Sequence, residues 1–409
     1  MRKIICVLAF AFLFFSRFPG LGAQENFIVA VRISGLTRTK PQVAEAALEK
    51  FIGRPAADID LNEVRAAILD TGILEPLELE IVDAPGKNGK IIQAELRDKW
   101  SIFPVPVFFI GSSGFQAGAA FYDANAFGLN HKAAIMGMYQ SEGWMVYGMY
   151  IKPPKPNPGW GAMGAFSQSD RTDQDQKEVT IRRFSQDSLD ATGLLNFQLT
   201  DILRGSLRLG YAARMIRQSD DWLRRPDADA HGLRMGAELS ARKSSWDGYF
   251  LSEKGASFGY TYLLGLNSPS FHSLSLDGTL QQSLVPGFRA DLRTGLLYSP
   301  DAEPLFESGP SSARVQILPR HFSAQHYAGF SLGLEKHIYK FSFGVLSILG
   351  AWQGVYSYGP ILESQFDQGL SASLSLYLSK LAIPALGAGV VYNITRNHFL
   401  FSFSMGMSL

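Results

Sequence analysis

The chain has 409 residues, with 38 lysines and arginines against 37 aspartates and glutamates, for a net charge of +1. That balance, with no long run of like charge, excludes the bulk electrostatic attraction that nucleic-acid binding needs, so no nucleic acid is expected as a partner. Beyond the N-terminus no segment stays apolar for the roughly 18–20 residues of a membrane helix. Entry into a membrane would therefore require a closed barrel, the other architecture that satisfies every backbone polar group in hydrocarbon.

The chain opens with Met1-Arg2-Lys3 and an apolar run from Ile4 to Phe15. Pro19, Gly20, Leu21, Gly22 and Ala23 follow, ahead of Gln24-Glu25. A basic start, a short apolar stretch and small residues describe a secretory signal peptide, expected over residues 1–23. The only cysteine, Cys6, lies inside the apolar run rather than after a cleavage site. The mature chain is then cysteine-free, which suits a disulfide-forming compartment such as a bacterial periplasm.

Residues 24–99 read as a small α/β domain. Phe27 to Ile33 is β-rich and ends at Ser34-Gly35; Thr39, Lys40 and Pro41 open a helical pattern carrying Val43, Ala46, Ala47 and Leu48, which stops near Gly53. A second helix starts at Asp60-Leu61-Asn62-Glu63, in the form of a capping box, and repeats Leu61, Val64, Ile68 and Leu69 until Gly72. Strands over Leu77–Val82 and Ile91–Leu96 follow, joined through Pro85-Gly86-Lys87-Asn88-Gly89. The order is β-α-α-β-β.

From residue 100 to residue 409 the period changes to two. Leu207, Leu209, Tyr211 and Ala213 alternate with Arg208, Gly210, Ala212 and Arg214. Phe288, Ala290, Leu292, Leu296 and Tyr298 stand against Arg289, Asp291 and Arg293, and Phe399, Phe401 and Phe403 against Ser402 and Ser404. A soluble sandwich would also alternate, but its polar faces would carry dense charge rather than serine and glycine, and its apolar faces would hold fewer aromatics. About sixteen strands are expected, near 104–112, 114–124, 130–140, 143–152, 159–168, 190–200, 204–216, 231–243, 256–266, 271–284, 287–298, 326–338, 341–356, 369–380, 385–394 and 398–409. The fold class is thus a transmembrane antiparallel β-barrel preceded by one small α/β domain.

These residues resemble the superfamily of outer-membrane assembly factors that includes BamA and TamA, in a form with a single POTRA domain. In the small domain the resemblance rests on Ile33-Ser34-Gly35-Leu36-Thr37 and Asp70-Thr71-Gly72-Ile73-Leu74. In the barrel it rests on Asp123-Ala124-Asn125-Ala126-Phe127-Gly128 and on Asp247-Gly248-Tyr249-Phe250-Leu251-Ser252-Glu253-Lys254-Gly255, where Leu251 replaces the usual proline. Pro319-Arg320-His321-Phe322 resembles the motif of a loop that folds into the barrel lumen, with His321 in place of glycine.

The resemblance implies a lumen latch in which Arg320 and Phe322 approach Glu335, while Trp352 stands where the family often has aspartate. It also implies a strand edge over Leu77, Leu79 and Ile81 that captures extended polypeptide by strand addition. A lateral gate between the first and last barrel strands follows in the same way, marked by Val105, Val107, Phe399 and Phe401, with Pro104 and Pro106 weakening closure.

No Gly-x-Ser-x-Gly elbow, His-Glu-x-x-His helix or phosphate-cradling loop occurs, so no enzyme and no cofactor are expected. His321, His326 and His337 fit no standard metal spacing. The function expected is assistance to the insertion or export of other polypeptides at the bacterial outer membrane, with the small domain in the periplasm. Partners expected are outer-membrane lipids, unfolded outer-membrane or exported polypeptides, and periplasmic chaperones or lipoproteins. A passive pore or surface-exposed structural protein is the alternative.

Overall fold

A computed structural model describes residues 26–405 apart from residues 86–88, 112–113, 155–156, 175–178, 220–227, 247–249, 308, 310–312, 319–321, 343, 360–364 and 379–383. The expected signal peptide and the C-terminal residues 406–409 lie outside the described residues. The chain divides into two compact units. One runs to Ser101 and includes Phe127–Asn130; the other comprises Ile102–Ala126 and the chain from His131 onward.

The first unit contains β1 (Ile28–Ser34), α1 (Pro41–Leu48), α2 (Leu61–Leu69), β2 (Leu74–Asp83) and β3 (Lys90–Asp98). Its sheet order is β1-β3-β2, with β1 parallel and β2 antiparallel to the central β3. Centrality explains the composition of β3: Ile92, Ala94 and Leu96 are fully buried, together with Ala44 and Leu48 of α1 and Val64 and Ile68 of α2. Ala46 lies on the exposed side of α1, because the helix turns Ala44 rather than Ala46 toward the core.

The cap of α2 is half of the expected box. The Asp60 carboxylate accepts the Asn62 amide at 2.8 Å, but Glu63 turns away to Arg54 at 3.3 Å and Lys50 at 3.4 Å. At Gly35 the backbone has φ of +84°, and a Cβ would stand 2.4 Å from the Leu96 carbonyl, so the turn leaving β1 requires glycine. The chain after that turn is pinned by Asp98 at the end of β3. Its Oδ2 accepts the amides of Thr37 (2.7 Å) and Arg38 (2.9 Å), and its Oδ1 accepts the Thr39 amide (3.0 Å) and hydroxyl.

The second unit is a closed barrel of sixteen antiparallel strands: β4 (Ile102–Gly111), β5 (Gly114–Ala126), β6 (His131–Gln140), β7 (Gly143–Lys152), β8 (Gly159–Gln174), β9 (Thr180–Gln198), β10 (Leu203–Ser219), β11 (Ala230–Trp246), β12 (Leu251–Gly265), β13 (Phe271–Val285), β14 (Phe288–Tyr298), β15 (His326–Lys340), β16 (Gly344–Tyr358), β17 (Gln365–Leu378), β18 (Pro384–Asn393) and β19 (His398–Met405). Every expected strand has its counterpart. β8 and β9 extend well beyond the expected 159–168 and 190–200, because Ser169–Gln174 and much of Thr180–Leu189 are polar and charged. The hydrophobic signal is lost there although the pairing continues from Asp170–Ser185 to Gln174–Thr180.

Leu207, Leu209, Leu233, Met235, Leu239, Phe258 and Tyr260 all point outward and are exposed. So large an apolar band would be penalised in water and favoured in hydrocarbon. Tyr298, His326 and Tyr358, paired across β14, β15 and β16, form a stacked aromatic row at one end of that band, with ring centroids 4.6 Å and 5.5 Å apart. No helix among the described residues is long and apolar enough to cross a membrane.

Candidate functional site

Residues 299–325, which join β14 to β15, build a core of their own inside the barrel. Ala313, Val315, Ile317, Leu318, Phe322 and Ala324 are buried with Tyr327 of β15, Val355 of β16 and Val391 of β18. Leu305 and Phe306 pack with Phe184 of β9, Ile216 of β10 and Ala230 of β11. Apolar side chains in a connecting segment are left without solvent only if the segment folds back, and here the barrel supplies the other half of the core.

Polar contacts fasten the segment to several walls. Arg182 of β9, 1% exposed, is held between Asp173 of β8 and Glu307 of the loop. Arg171 of β8 adds Asp173 at 2.8 Å and the Ser323 hydroxyl at 3.0 Å. Arg314 pairs with Asp277 of β13 at 2.7 Å. The Gln316 amide donates to Gln353 Oε1 of β16 at 2.8 Å, and Asn393 Nδ2 of β18 donates to the Ile317 carbonyl at 2.7 Å. A charge as dry as Arg182 persists only when it is paired, so the loop supplies one of its two carboxylates rather than merely resting on it.

Of the expected latch, Arg320 and His321 lie outside the described residues. Phe322 is buried at 1% exposure, edge-on to Tyr327 and beneath the guanidinium of Arg396, 5.2 Å from its ring centroid. Glu335 faces the lumen from β15, and its described partners are Arg289 of the adjacent β14 at 2.7 Å, Ser347 of β16 and the Tyr377 hydroxyl of β17 at 3.0 Å. Phe250, from the turn motif before β12, covers Arg289 with its ring 4.6 Å away. Trp352 points outward between Leu332 and Leu370, which corrects its expected place on the lumen wall. The lumen position beside it belongs to Gln353. A buried acid does lie nearby, on β17: Asp367, paired with Arg396 at 2.9 Å.

The barrel closes where Gly111, Ile110, Phe109 and Phe108 of β4 pair with Ser402, Phe403, Ser404 and Met405 of β19. Among the described residues, which end at Met405, these are the register pairs of the seam. The gate candidates flank this seam. Val105 and Val107 pair with Ala120 and Gly118, whereas Phe399 and Phe401 pair with Tyr392 and Val390 and point outward. In the first unit, β2 stands at a sheet edge. Leu77 is an exposed bulge between the pairs Pro76–Leu96 and Glu78–Glu95, while Leu79 and Ile81 pair with buried Ala94 and Ile92 on the core face.

Arg182, Asp173, Glu307, Arg289, Asp367 and Arg396 escaped the sequence reading. Alternation placed Arg289, Asp291 and Arg293 on a polar face, but nothing local distinguishes a lumen charge in water from one sealed beneath a loop. No group of three or more His, Cys, Asp or Glu among the described residues is arranged to hold a metal ion.

No protein-family model matches the sequence, and no curated protein sequence does. Solved structures do match. BamA from Haemophilus ducreyi lacking POTRA domains 1–3 aligns with a TM-score of 0.69 and 13% identity, over 93% of this chain and 85% of that one. CdiB from Acinetobacter baumannii gives 0.66 and 12% identity over 94% and 74%, and CdiB from Escherichia coli gives 0.64 and 13% over 94% and 77%. At these identities the likeness is one of fold: the chain has the architecture of the BamA and CdiB barrels.

Proposed function

We propose that this chain is an outer-membrane protein, without enzymatic activity, that assists the insertion or translocation of other polypeptides. In this reading residues 24–99 form a single periplasmic POTRA domain behind a signal peptide. The observation that carries it is the first barrel strand, where Pro104 and Pro106 stand in β4, the strand that meets β19 at the seam.

Pro104 and Pro106 sharpen the point. Two residues apart on one strand, they lack donors on the same side. The β4–β5 register is unbroken from Ile102 to Gly111, and a strand proline turns its missing donor away from the ladder it belongs to. The gaps therefore fall on the β19 side, where they lower the cost of parting the strands and leave a β4 edge that an incoming strand can pair with.

The β2 edge, with Leu77 exposed at its bulge, supports capture of extended chain segments by strand addition. The apolar outward band supports lipid contact. A loop with its own core inside the lumen weighs against the passive pore. Client polypeptides and periplasmic chaperones or lipoproteins are the partners this reading requires.

The test is depletion in the native host, followed by quantification of other barrel proteins in the outer membrane and of surface-displayed proteins. Losses of both classes are expected to track depletion. Unchanged levels and unchanged display would end this reading.

A further inference from the structure

We infer that Lys243 and Lys254 form a site on the outer wall of the barrel for the phosphate head group of an anionic phospholipid. This rests on the reading of the chain as an outer-membrane barrel and adds a lipid of stated chemistry to it. Lys243 lies three residues before the end of β11 and Lys254 three residues after the start of β12. Both are therefore at the end of the barrel away from the 299–325 segment, which in the proposed orientation is the periplasmic leaflet.

The register sets the two lysines directly opposite each other. Both are exposed, and alternation puts them on the outward face with Leu239 and Phe258. Side chains so placed have Cβ atoms about 5 Å apart, and like charges there repel. Among the described residues no ion pair relieves that repulsion. Glu253, beside Lys254 in the chain, faces the lumen and Arg242, and Asp201 in the turn before β10 is paired with neither lysine. The Lys254 ammonium donates to Gln282 Oε1 of β13, while Gln282 Nε2 donates to the Ser283 carbonyl at 2.9 Å. A carboxamide oxygen orients the ammonium without neutralising it.

The surroundings select a lipid over a soluble anion or an acidic protein. Leu239, Phe258 and Leu276 are register partners in a row across β11, β12 and β13, four residues or about 13 Å along the strand from the lysines. Leu199 and Ile202 are exposed in the turn before β10, and the Ile202 carbonyl accepts the Arg242 amide at 3.0 Å, so apolar surface reaches the pair itself. The outward positions of β11 to β15 carry no aspartate or glutamate, and their charges are Lys243, Lys254 and Lys336. Two cations at the border of an apolar wall match an anionic phospholipid at both ends. The phosphate bridges the ammoniums, whose stems lie along the wall, and the acyl chains cover the Leu239–Phe258–Leu276 row. Lys336, by contrast, has Phe288 and Ile348 as register partners and offers a single ammonium.

The experiment uses the full chain folded into vesicles of phosphatidylcholine with phosphatidylglycerol as a minor component. After extraction in mild detergent, native mass spectrometry reads which lipid stays bound. Phosphatidylglycerol should be retained several-fold above its share in the vesicle. Lys243→Gln and Lys254→Gln should each return retention to that share, and Lys336→Gln should leave it nearly unchanged. Lys243→Glu, which sets a carboxylate opposite Lys254, should abolish the enrichment. In phosphatidylcholine alone it should also keep the folded gel mobility to a higher temperature than the parent, because the repulsion has become an ion pair.

An inserted parent without enrichment would overturn the site. So would enrichment that survives both glutamine variants, or that falls equally in Lys336→Gln, since a basic rim would then suffice. Phosphatidylglycerol should raise the heat resistance of the parent, and inorganic phosphate added to phosphatidylcholine vesicles should not. Equal protection by inorganic phosphate would defeat the choice of a lipid. A chain that stays in the aqueous phase would instead defeat the outer-membrane reading, an outcome distinct from an inserted barrel that shows no lipid preference.

Discussion

Arg289 and Glu335 meet at 2.7 Å across adjacent strands, their side chains only 4% and 3% exposed, beneath the ring of Phe250. Removing one member strands the other in a dry lumen. Glu335→Gln and Arg289→Met should each cost about 3–5 kcal/mol, whereas the double change Arg289→Met with Glu335→Leu should cost far less than their sum. Urea midpoints for loss of the folded gel mobility measure this. Additive losses would remove the pair as a unit. Arg320→Ala with Glu335→Gln tests the latch in the same way: a shared defect is expected.

Glu307 is the loop's own contribution to the Arg182 node. Glu307→Gln leaves Asp173 as the one carboxylate on Arg182, beside the Pro304 carbonyl, and loosens the loop from the wall formed by β8 and β9. Single-channel conductance of the reconstituted protein should rise several-fold, with the folded mobility kept. A conductance equal to that of the parent would show that the apolar core of the loop suffices to close the lumen.

Asp98 carries a pH dependence in the small unit. Burial opposes its ionisation, but the Thr39 hydroxyl and the amides of Arg38, Thr37 and Thr39 outweigh it and hold the carboxyl well below the usual carboxylate range. Its folded pKa is depressed, so its stabilisation is complete above the unfolded value of about 4 and fades as pH falls below that. Proteolysis between residues 26 and 101 of the full chain should accelerate below about pH 4 in the parent chain. Asp98→Asn should be susceptible already at neutral pH, destabilised by about 1–2 kcal/mol because the carboxylate is partly solvated. A pH profile unchanged by the substitution would refute this.

Replacing both Pro104 and Pro106 by valine restores two donors on the seam side of β4. The cross-linking yield between thiols introduced at Ile110 and Phe403, a described register pair of the seam, should rise and client insertion should slow. Faster insertion would contradict the proposed role of the missing donors.

Much of the architecture is carried by local pattern. Alternation in Leu207–Ala213 or Phe399–Phe403 reflects the two faces of a strand, one meeting hydrocarbon and one the lumen, and that division repeats sixteen times without reference to distant residues. The β-α-α-β-β order is likewise written in short-range signals, at Gly35, Pro41, Asp60 and Gly72. Where a strand turns polar on both faces, as in Ser169–Gln174, the same signal fades and the expected strand ends early.

The candidate site is legible only in part, because its contacts join residues far apart in the chain. Glu335 reads as a lumen acid from alternation alone, yet its partner Arg289 is 46 residues away. Arg182 and Glu307 are 125 apart. Composition and period determined that this chain contains a small α/β unit and a closed barrel. Tertiary structure decided which lumen charges are paired, and that described parts of the 299–325 segment return to cover them. Those outcomes depend on desolvation, which exists only once the walls and the loop have come together.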